Sequence, residues 1–401
     1  MTGASLPAVV LGIDTPIGLA IVRDLGRHGV AVTGLARGQG ALGLGSRYLA
    51  RGLLRASGEA ALLAQLEELG AALGQACLFT VSESDISMLN RHRAQLARHF
   101  HLMFPDQRRM ERVLDKQKTY AAAQAVGVPV PRSWQPDNAA GLAAGAAGLQ
   151  YPVVVKWADP HAAAPHLRAA GLAADKARYC HSAAELVAYL TPYGAAGCYP
   201  LVQEYCPGYG LGQFMLMRDG QAHCLFQHRR LHEWPPEGGV STLCESLPLS
   251  QHSALMAQSV ALLRALEWEG IAMVEYRHDP ASGRSALMEI NGRFWGSLPL
   301  AVAAGAHFPW HAYQLLGQGR APTAAPYRAG LRCRFMVPET KRLLRLLFRP
   351  QAVADRSLPR RPLAELLAYL SDFLRPSTRY YVFQWRDPGP FWRDLRQMLR
   401  R

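Results

Sequence analysis

Polar and apolar residues alternate in two neighbouring runs of the chain and predict a β-hairpin within residues 270–299. The first run, GIAMVEYRHD, has the two-residue period of a strand and places Glu275 on its polar side. The residues PASGR that follow carry the turn formers proline, serine and glycine. If the second run, SALMEING, pairs back through this five-residue loop, Glu275 lies directly opposite Glu289.

The same alternation predicts which side chains of the second run share the face of Glu289. Leu287, Asn291 and Arg293 fall on that side. Two carboxylates placed across a ladder repel each other unless a cation lies between them. Because Mg²⁺ prefers carboxylate and amide oxygens, the pattern predicts a metal site formed by Glu275, Glu289 and Asn291, with Arg293 beside it. The alternative is an ordinary hairpin with a solvated polar face.

Apolar runs also predict how the chain begins. Residues 7–37 fit a buried strand, a glycine turn, an amphipathic helix and a second strand, the opening of an α/β domain. Gly12 and Gly18 are separated by five residues, which is not the G-x-G-x-x-G spacing of a dinucleotide site. We therefore expect a Rossmann-like scaffold rather than a nicotinamide site. A further helix and strand lead to residues 83–85, which either contact a ligand or cap the next helix.

Composition indicates a large folded protein. The 401 residues are 49% hydrophobic, enough for two or three domains. Seven cysteines without a CxxC pair favour neither a disulfide framework nor a zinc site, which indicates a reducing, cytoplasmic environment. No apolar stretch approaches the roughly 20 residues of a membrane span, and no charged segment precedes an apolar run at the N-terminus.

Positive charge is concentrated towards the C-terminus. The formal net charge is +14, and residues 331–401 hold 16 Lys or Arg against 6 Asp or Glu, a net +10. Three runs in this segment, KRLLRLLFR, PLAELLAYLSDFL and FWRDLRQMLRR, have helical periodicity, but prolines separate them. We expect a folded basic appendage that docks on the rest of the chain, without a nucleic-acid partner. Peripheral contact with an anionic membrane is the open alternative.

The hairpin resembles a motif of the ATP-grasp superfamily. VEY in its first strand and MEINGR in its second are similar to the metal-binding hairpin of that superfamily. The resemblance implies that Glu275, Glu289 and Asn291 hold Mg²⁺, or Mn²⁺, against the phosphates of ATP. It also implies that Arg293 faces an acyl phosphate.

Three further motifs precede the hairpin in the order found in the superfamily. The segment DKQKTYAAAQAVGVPVP resembles the start of the ATP-grasp fold, which implies a phosphate contact from Lys116, or from Lys118 if the register is shifted. YPVVVK resembles the strand whose final lysine, here Lys156, reaches the α- and β-phosphates. LVQEYCPG resembles the hinge whose backbone reads adenine, with Glu204 at its start.

One segment departs from the pattern of the superfamily. Between residues 158 and 180 the chain has a single glycine, Gly171, instead of a glycine-rich loop over the phosphates. The pair Lys176 and Ala177 resembles carboxylate–amine ligase-like members, which implies that Lys176 supplies positive charge instead. Farther along, the charged residues 228–239, HRRLHEWPPEGG, are a candidate acceptor for an anionic substrate.

The resemblance implies an α/β protein with three units. These are a Rossmann-like domain at 1–105, an ATP-grasp nucleotide-binding domain at 106–330 with a lid at about 156–199, and a basic helical appendage at 331–401. It further implies an ATP- and Mg²⁺-dependent ligase that turns a small carboxylate into an acyl phosphate and joins it to an amine. A phosphotransferase on the same scaffold and a non-catalytic nucleotide-binding module are the alternatives. A homo-oligomer is compatible with each of them.

Overall fold

A parallel five-stranded sheet with strand order β3-β2-β1-β4-β5 begins the computed structural model, which describes residues 5–157, 160–173, 177–323, 325–353 and 361–398. Its strands are β1 (Ala8–Leu11), β2 (Val32–Ala36), β3 (Arg51–Leu54), β4 (Ala76–Phe79) and β5 (Phe100–Leu102). The helices around it are α1 (Pro16–Arg27), α2 (Glu59–Leu73), α3 (Glu83–Arg91) and α4 (Arg93–Leu96). The predicted α/β class is confirmed.

In the turn between β1 and α1, other atoms of the chain occupy the space beside Gly12 and Gly18. Gly12 has a φ of +86°, and a Cβ atom on Gly18 would lie 2.3 Å from the carbonyl oxygen of Gly12. The Thr15 hydroxyl accepts a hydrogen bond from the Gly18 amide at 3.2 Å and caps α1. The two glycines therefore permit a tight turn and a close contact between strand and helix.

A smaller antiparallel sheet with strand order β6-β9-β7-β8 follows the helices α5 (Gln107–Leu114) and α6 (Lys116–Ala125). Its strands are β6 (Ser133–Trp134), β7 (Val153–Lys156), β8 (Arg178–Cys180) and β9 (Leu201–Glu204). The helices α7 (Leu142–Ala147), α8 (Pro160–Ala169) and α9 (Ala183–Leu190) accompany it. The predicted lid, 156–199, falls within this unit, and its boundaries remain a prediction.

The largest sheet has seven strands in the order β14-β13-β10-β11-β12-β15-β16, and every neighbouring pair is antiparallel except β15 and β16. Its strands are β10 (Tyr209–Arg218), β11 (Gln221–Trp234), β12 (Val240–Ser246), β13 (Gly270–His278), β14 (Ser285–Asn291), β15 (Arg332–Arg334) and β16 (Thr378–Tyr380). Helices α10 to α15 are Ser253–Ala265, Leu298–Ala304, Phe308–Ala312, Met336–Phe348, Pro362–Leu374 and Gly389–Met398. The basic segment 331–401 thus contributes two strands to the sheet that contains the candidate hairpin.

Apolar side chains join the first sheet to the largest one. One buried cluster combines Val10 and Leu19 of the first unit with Phe214 of β10 and Tyr381 after β16. The small sheet has a buried cluster of its own, which includes Val155. No helix among the described residues is long and apolar enough to cross a membrane.

Candidate active site

A cavity of about 510 Å³ lies between the small sheet and the polar face of the β13–β14 hairpin. Six of the eight predicted site residues line it: Lys156, Glu204, Glu275, Glu289, Asn291 and Arg293. Lys116 does not line the cavity, and Lys176 lies outside the described residues. The cavity therefore brings together residues that are up to 137 positions apart in the chain.

The hairpin has the predicted register at its centre. Glu275 of β13 pairs with Glu289 of β14, and Met273 pairs with Asn291. The prediction of strict alternation along β14 was wrong, however. Tyr276 pairs with Leu287, which leaves Met288 as an extra residue in the second strand. This β-bulge returns Leu287 to the buried side, where it joins Ile290 in the core.

Arg230 of β11 supplies positive charge beside the two facing carboxylates. Its Nη2 atom donates a hydrogen bond to Glu275, and its Nη1 atom donates to Glu233 Oε1 at 3.1 Å. The Arg277 guanidinium lies 3.9 Å from the other oxygen of Glu233. The charged run 228–239 was proposed as an anion acceptor, but its contact with the hairpin was missed because β10 separates β11 from β13 in the sheet.

The charges around Arg230 change the acidity of the site. Burial raises the pKa of Glu275 to about 7, and the carboxylates of Glu289 and Glu233 add to the rise although Arg230 opposes it. Burial lowers the pKa of Arg230, but the carboxylates of Glu275 and Glu233 outweigh burial and raise it overall. Glu275 is thus poised to exchange a proton or a cation near neutral pH.

Asn291 and Arg293 are linked to the first unit of the chain. The Asn291 amide donates to Glu289 Oε1 at 2.9 Å, and Arg293 Nη2 donates to Asn291 Oδ1 at 3.1 Å. Arg293 Nε donates to Glu83 Oε1 at 3.0 Å. The hydroxyl of Ser82, not residues 83–85, caps α3. Arg293 therefore lies beside the predicted metal ligands and is held there by a carboxylate from the first unit.

Lys156, at the end of β7, places positive charge on the opposite wall of the cavity. Burial and, to a smaller extent, the nearby charge of Lys116 lower the pKa of Lys156 to about 8. Lys116 is the first residue of α6, whereas the Lys118 amide and ammonium both approach the capping residue Asp115, at 3.2 and 3.5 Å. Of the two lysines considered for the phosphates, Lys116 is the one whose charge reaches Lys156.

Glu204 ends β9 with its carboxylate engaged by two other segments. It accepts a hydrogen bond from the Arg132 amide at 2.9 Å and pairs with the Arg284 guanidinium. Burial raises the pKa of Glu204, but the hydrogen bonds from Arg284 and the Arg132 amide, together with the charges of both arginines, outweigh burial and the net shift is downward. Next to it, Gln203 donates to the Tyr120 hydroxyl at 3.1 Å, and Tyr120 in turn donates to the carbonyl of Met288 in the bulge at 3.3 Å. These bonds connect β9 to the hairpin.

The oxygen donors of the hairpin fit a hard divalent cation. Two carboxylates and one amide oxygen lie together at the cavity wall, in line with the preference of Mg²⁺ for oxygen. Within the described ranges, no three His, Cys, Asp or Glu side chains are grouped as a metal site. Any cation bound at Glu275, Glu289 and Asn291 would therefore need further oxygen ligands from substrate or water.

Comparisons with known proteins identify the fold. Residues 200–337 match the family model described as ATP-grasp in the biosynthetic pathway with Ter operon. A search of curated proteins gives no match. The matched segment contains the hairpin, Arg230 and Arg293.

Solved structures of ATP-grasp enzymes share this fold at low sequence identity. An L-amino acid ligase from Bacillus licheniformis is 16% identical, with a TM-score of 0.55, over 78% of this chain and 74% of that one. A biotin carboxylase from Campylobacter jejuni in complex with βγ-ATP is 15% identical, with a TM-score of 0.62, over 82% and 74% of the two chains. A phosphoribosylglycinamide synthetase from Anaerococcus prevotii is 15% identical, with a TM-score of 0.56, over 79% and 76%. The chain has the ATP-grasp fold, and its resemblance to that superfamily is confirmed.

Proposed function

We propose that this protein is an ATP-dependent carboxylate–amine ligase. The observation that carries the proposal is that three separate motifs, the hairpin, the strand ending at Lys156 and the strand ending at Glu204, deliver lysine, carboxylate, amide and arginine side chains to a single cavity of about 510 Å³. Phosphoryl transfer depends mainly on positioning and on neutralising charge. A cavity with cationic and oxygen-rich walls suits that task.

The hairpin is the proposed metal site. Glu275, Glu289 and Asn291 would hold Mg²⁺ or Mn²⁺, which supplies Lewis acidity and charge neutralisation at phosphate oxygens. From the other wall, Lys156 binds and orients the phosphates of the nucleotide substrate, together with Lys116, whose charge reaches Lys156. Lys176 and the hinge at Glu204 keep the roles that the resemblance implies, as parts of the same proposal.

Two arginines and two glutamates form the proposed binding site for the carboxylate substrate. Arg230, Glu233, Glu237 and Arg277 line both the main cavity and a second cavity of about 240 Å³ next to it. Paired positive and negative groups suit a small molecule that carries a carboxylate and an amine. We place the carboxylate substrate here, with Arg293 facing the group that receives phosphate.

The proposed reaction has two displacements. An oxygen of the substrate carboxylate attacks the γ-phosphorus of ATP, the bond to the β–γ bridging oxygen breaks, and ADP leaves. The amine then attacks the acyl carbon, loses a proton, and inorganic phosphate leaves with the electron pair of the former acyl–oxygen bond. Arg293 stabilises the negative charge that develops on the acyl phosphate.

Substrate-dependent ADP release tests the proposal. The purified protein is screened with ATP and Mg²⁺ against pairs of amino acids and small carboxylates, and both ADP and phosphate are measured. We expect turnover only with a carboxylate and an amine together, and about a hundredfold loss or more in Glu289→Ala, which lacks a metal ligand. Glu68→Ala, which removes an exposed glutamate of α2, is the matched control.

Other outcomes would change the assignment. A stable phosphorylated product without release of inorganic phosphate would indicate a phosphotransferase. Full activity in Glu289→Ala at saturating Mg²⁺ would contradict the metal site. Nucleotide binding without turnover on any pair would favour a non-catalytic module.

A further inference from the structure

Helix α14 packs on the protein through its polar side. Asp372 is buried and accepts hydrogen bonds from Arg334 Nη2 at 2.7 Å and Arg332 Nη1 at 2.9 Å. Glu365, two turns earlier on the same side, pairs with Arg342 of α13 at 2.9 Å. Ion pairs therefore fix this side of the helix to β15 and α13.

The opposite side of α14 is a row of exposed leucines. Leu363, Leu367, Leu370 and Leu374 follow the i, i+4, i+7, i+11 spacing of one helix face and are 75%, 68%, 52% and 85% exposed. This is the reverse of an ordinary amphipathic helix, whose leucines face the core. Leaving such a continuous apolar face in water is unfavourable and marks an interaction surface.

Aromatic contacts extend this leucine face beyond the helix. The rings of Phe373 and Tyr380 are 6.3 Å apart, those of Tyr380 and Phe383 are 6.4 Å apart, and those of Phe383 and Trp385 are 4.8 Å apart. Trp385 ends the row with 87% of its surface exposed. An exposed tryptophan at the edge of an apolar surface is favoured where water meets lipid.

The charges around the leucine face are positive. Arg361 directly precedes α14, and Arg375 and Arg379 follow it; all three are exposed, although Arg375 Nε also lies 3.6 Å from Asp372. The two acidic residues of the helix, Glu365 and Asp372, are turned inward and paired with arginines. The outward surface thus combines leucine, tryptophan and arginine.

We propose that this face, consisting of the four leucines of α14 and Trp385 with Arg361, Arg375 and Arg379 at its rim, binds an anionic membrane surface. Leucine side chains in the acyl boundary and arginines at the phosphates are the pattern of interfacial helices. A second copy of the chain fits less well, because a symmetric contact through the leucines would bring like-charged arginines together at the rim. The inference is independent of the ligase assignment, since none of these residues lines the cavity.

Vesicle co-sedimentation tests the inference with the full chain. Phosphatidylcholine vesicles with about a quarter phosphatidylglycerol are compared with pure phosphatidylcholine vesicles. We expect binding to the anionic vesicles, weakening at high salt, and a roughly tenfold or greater loss in the double variant Leu367→Glu, Leu370→Glu. Leu54→Glu, at an exposed leucine of the edge strand β3, is the matched control and should bind like the native protein.

A second variant distinguishes a specific loss of membrane binding from a folding defect. Replacing Arg361 and Arg379 by glutamine leaves the leucines and the ion pairs of Asp372 intact and should weaken binding to anionic vesicles, while thermal denaturation of both variants should match that of the native protein. Equal sedimentation of native protein and variants, or no sedimentation of the native protein, would overturn the inference. A dimer that Leu367→Glu, Leu370→Glu dissociates, without vesicle binding by the native chain, would assign the face to self-association instead.

Discussion

Two arginines of this protein, one buried and one at the cavity wall, pair with carboxylates in different ways. Arg23 of α1 and its partner Asp387 are each 1% exposed. Arg23 donates to Asp387 Oδ2 at 2.8 Å and to the carbonyl of Val382 at 2.8 Å, and Asp387 also accepts from the hydroxyl of Ser46 and the amide of Arg47. Protein donors and acceptors thus surround this pair, and it joins the first unit to the C-terminal segment.

Arg230 is engaged less completely. Its side chain and that of Glu275 are 13% and 14% exposed at the cavity wall, and its Nε atom has no hydrogen-bond partner among the described residues. It is shared between Glu275 and Glu233, and the pKa of Glu275 is raised to about 7, mainly by burial. The Arg23–Asp387 pair is therefore fixed by the fold, whereas Arg230 is a counter-ion of Glu275 that a cation or a substrate can replace.

Breaking the fixed pair should have the largest effect on stability. Asp387→Asn removes the charge that compensates buried Arg23, and we expect a loss of about 3–5 kcal/mol in the free energy of unfolding. Urea denaturation at neutral pH measures it, with Asp137→Asn, at an exposed position, as the control. If the free energy of unfolding falls by less than about 1 kcal/mol, the value of a surface ion pair, the Arg23–Asp387 pair does not have the structural role proposed for it.

Charge in the cavity should depend on pH. Because the pKa of Lys156 is lowered to about 8, the ammonium group is present below pH 8 and is lost as the pH rises through 8. We expect ATP affinity to fall above pH 8, and Lys156→Ala to bind ATP about tenfold to a hundredfold more weakly at pH 7. Titration calorimetry measures both.

A charge-preserving variant sharpens that prediction. Lys156→Arg keeps its charge and should show no fall in ATP affinity up to about pH 9.5. If Lys156→Ala and Lys116→Ala both bind ATP like the native protein, the nucleotide lies elsewhere.

Removing the replaceable counter-ion should have the smallest effect. Arg230→Gln leaves Glu275, Glu233 and Glu289 without a shared cation, so we expect Mn²⁺ to bind several-fold more tightly in the absence of nucleotide. Arg229→Gln is a matched control, since its side chain pairs with Glu245 at 2.6 Å and does not line the cavity. Metal titration followed by electron paramagnetic resonance measures the change, and unchanged or weaker binding in Arg230→Gln would show that Arg230 does not compete with a cation.

Local patterns in the sequence predicted the centre of the candidate site. The two-residue period of the strands and the turn residues between them are properties of short segments, so Glu275 could be placed opposite Glu289 without the rest of the chain. The end of a strand at Lys156 was predictable for the same reason. The bulge at Met288 was not, because its carbonyl is satisfied by Tyr120, a residue 168 positions away.

Short stretches of the sequence set the strands, helices and turns and the motifs that they carry, because these features depend on neighbours within a few residues. The tertiary structure brings Arg230 into contact with Glu275 across β10, and Glu83 into contact with Arg293 over a separation of 210 residues. It also turns the leucines of α14 outward. A charged or apolar side chain acquires its role from the burial and the partners that the fold gives it, and those partners come from distant parts of the chain.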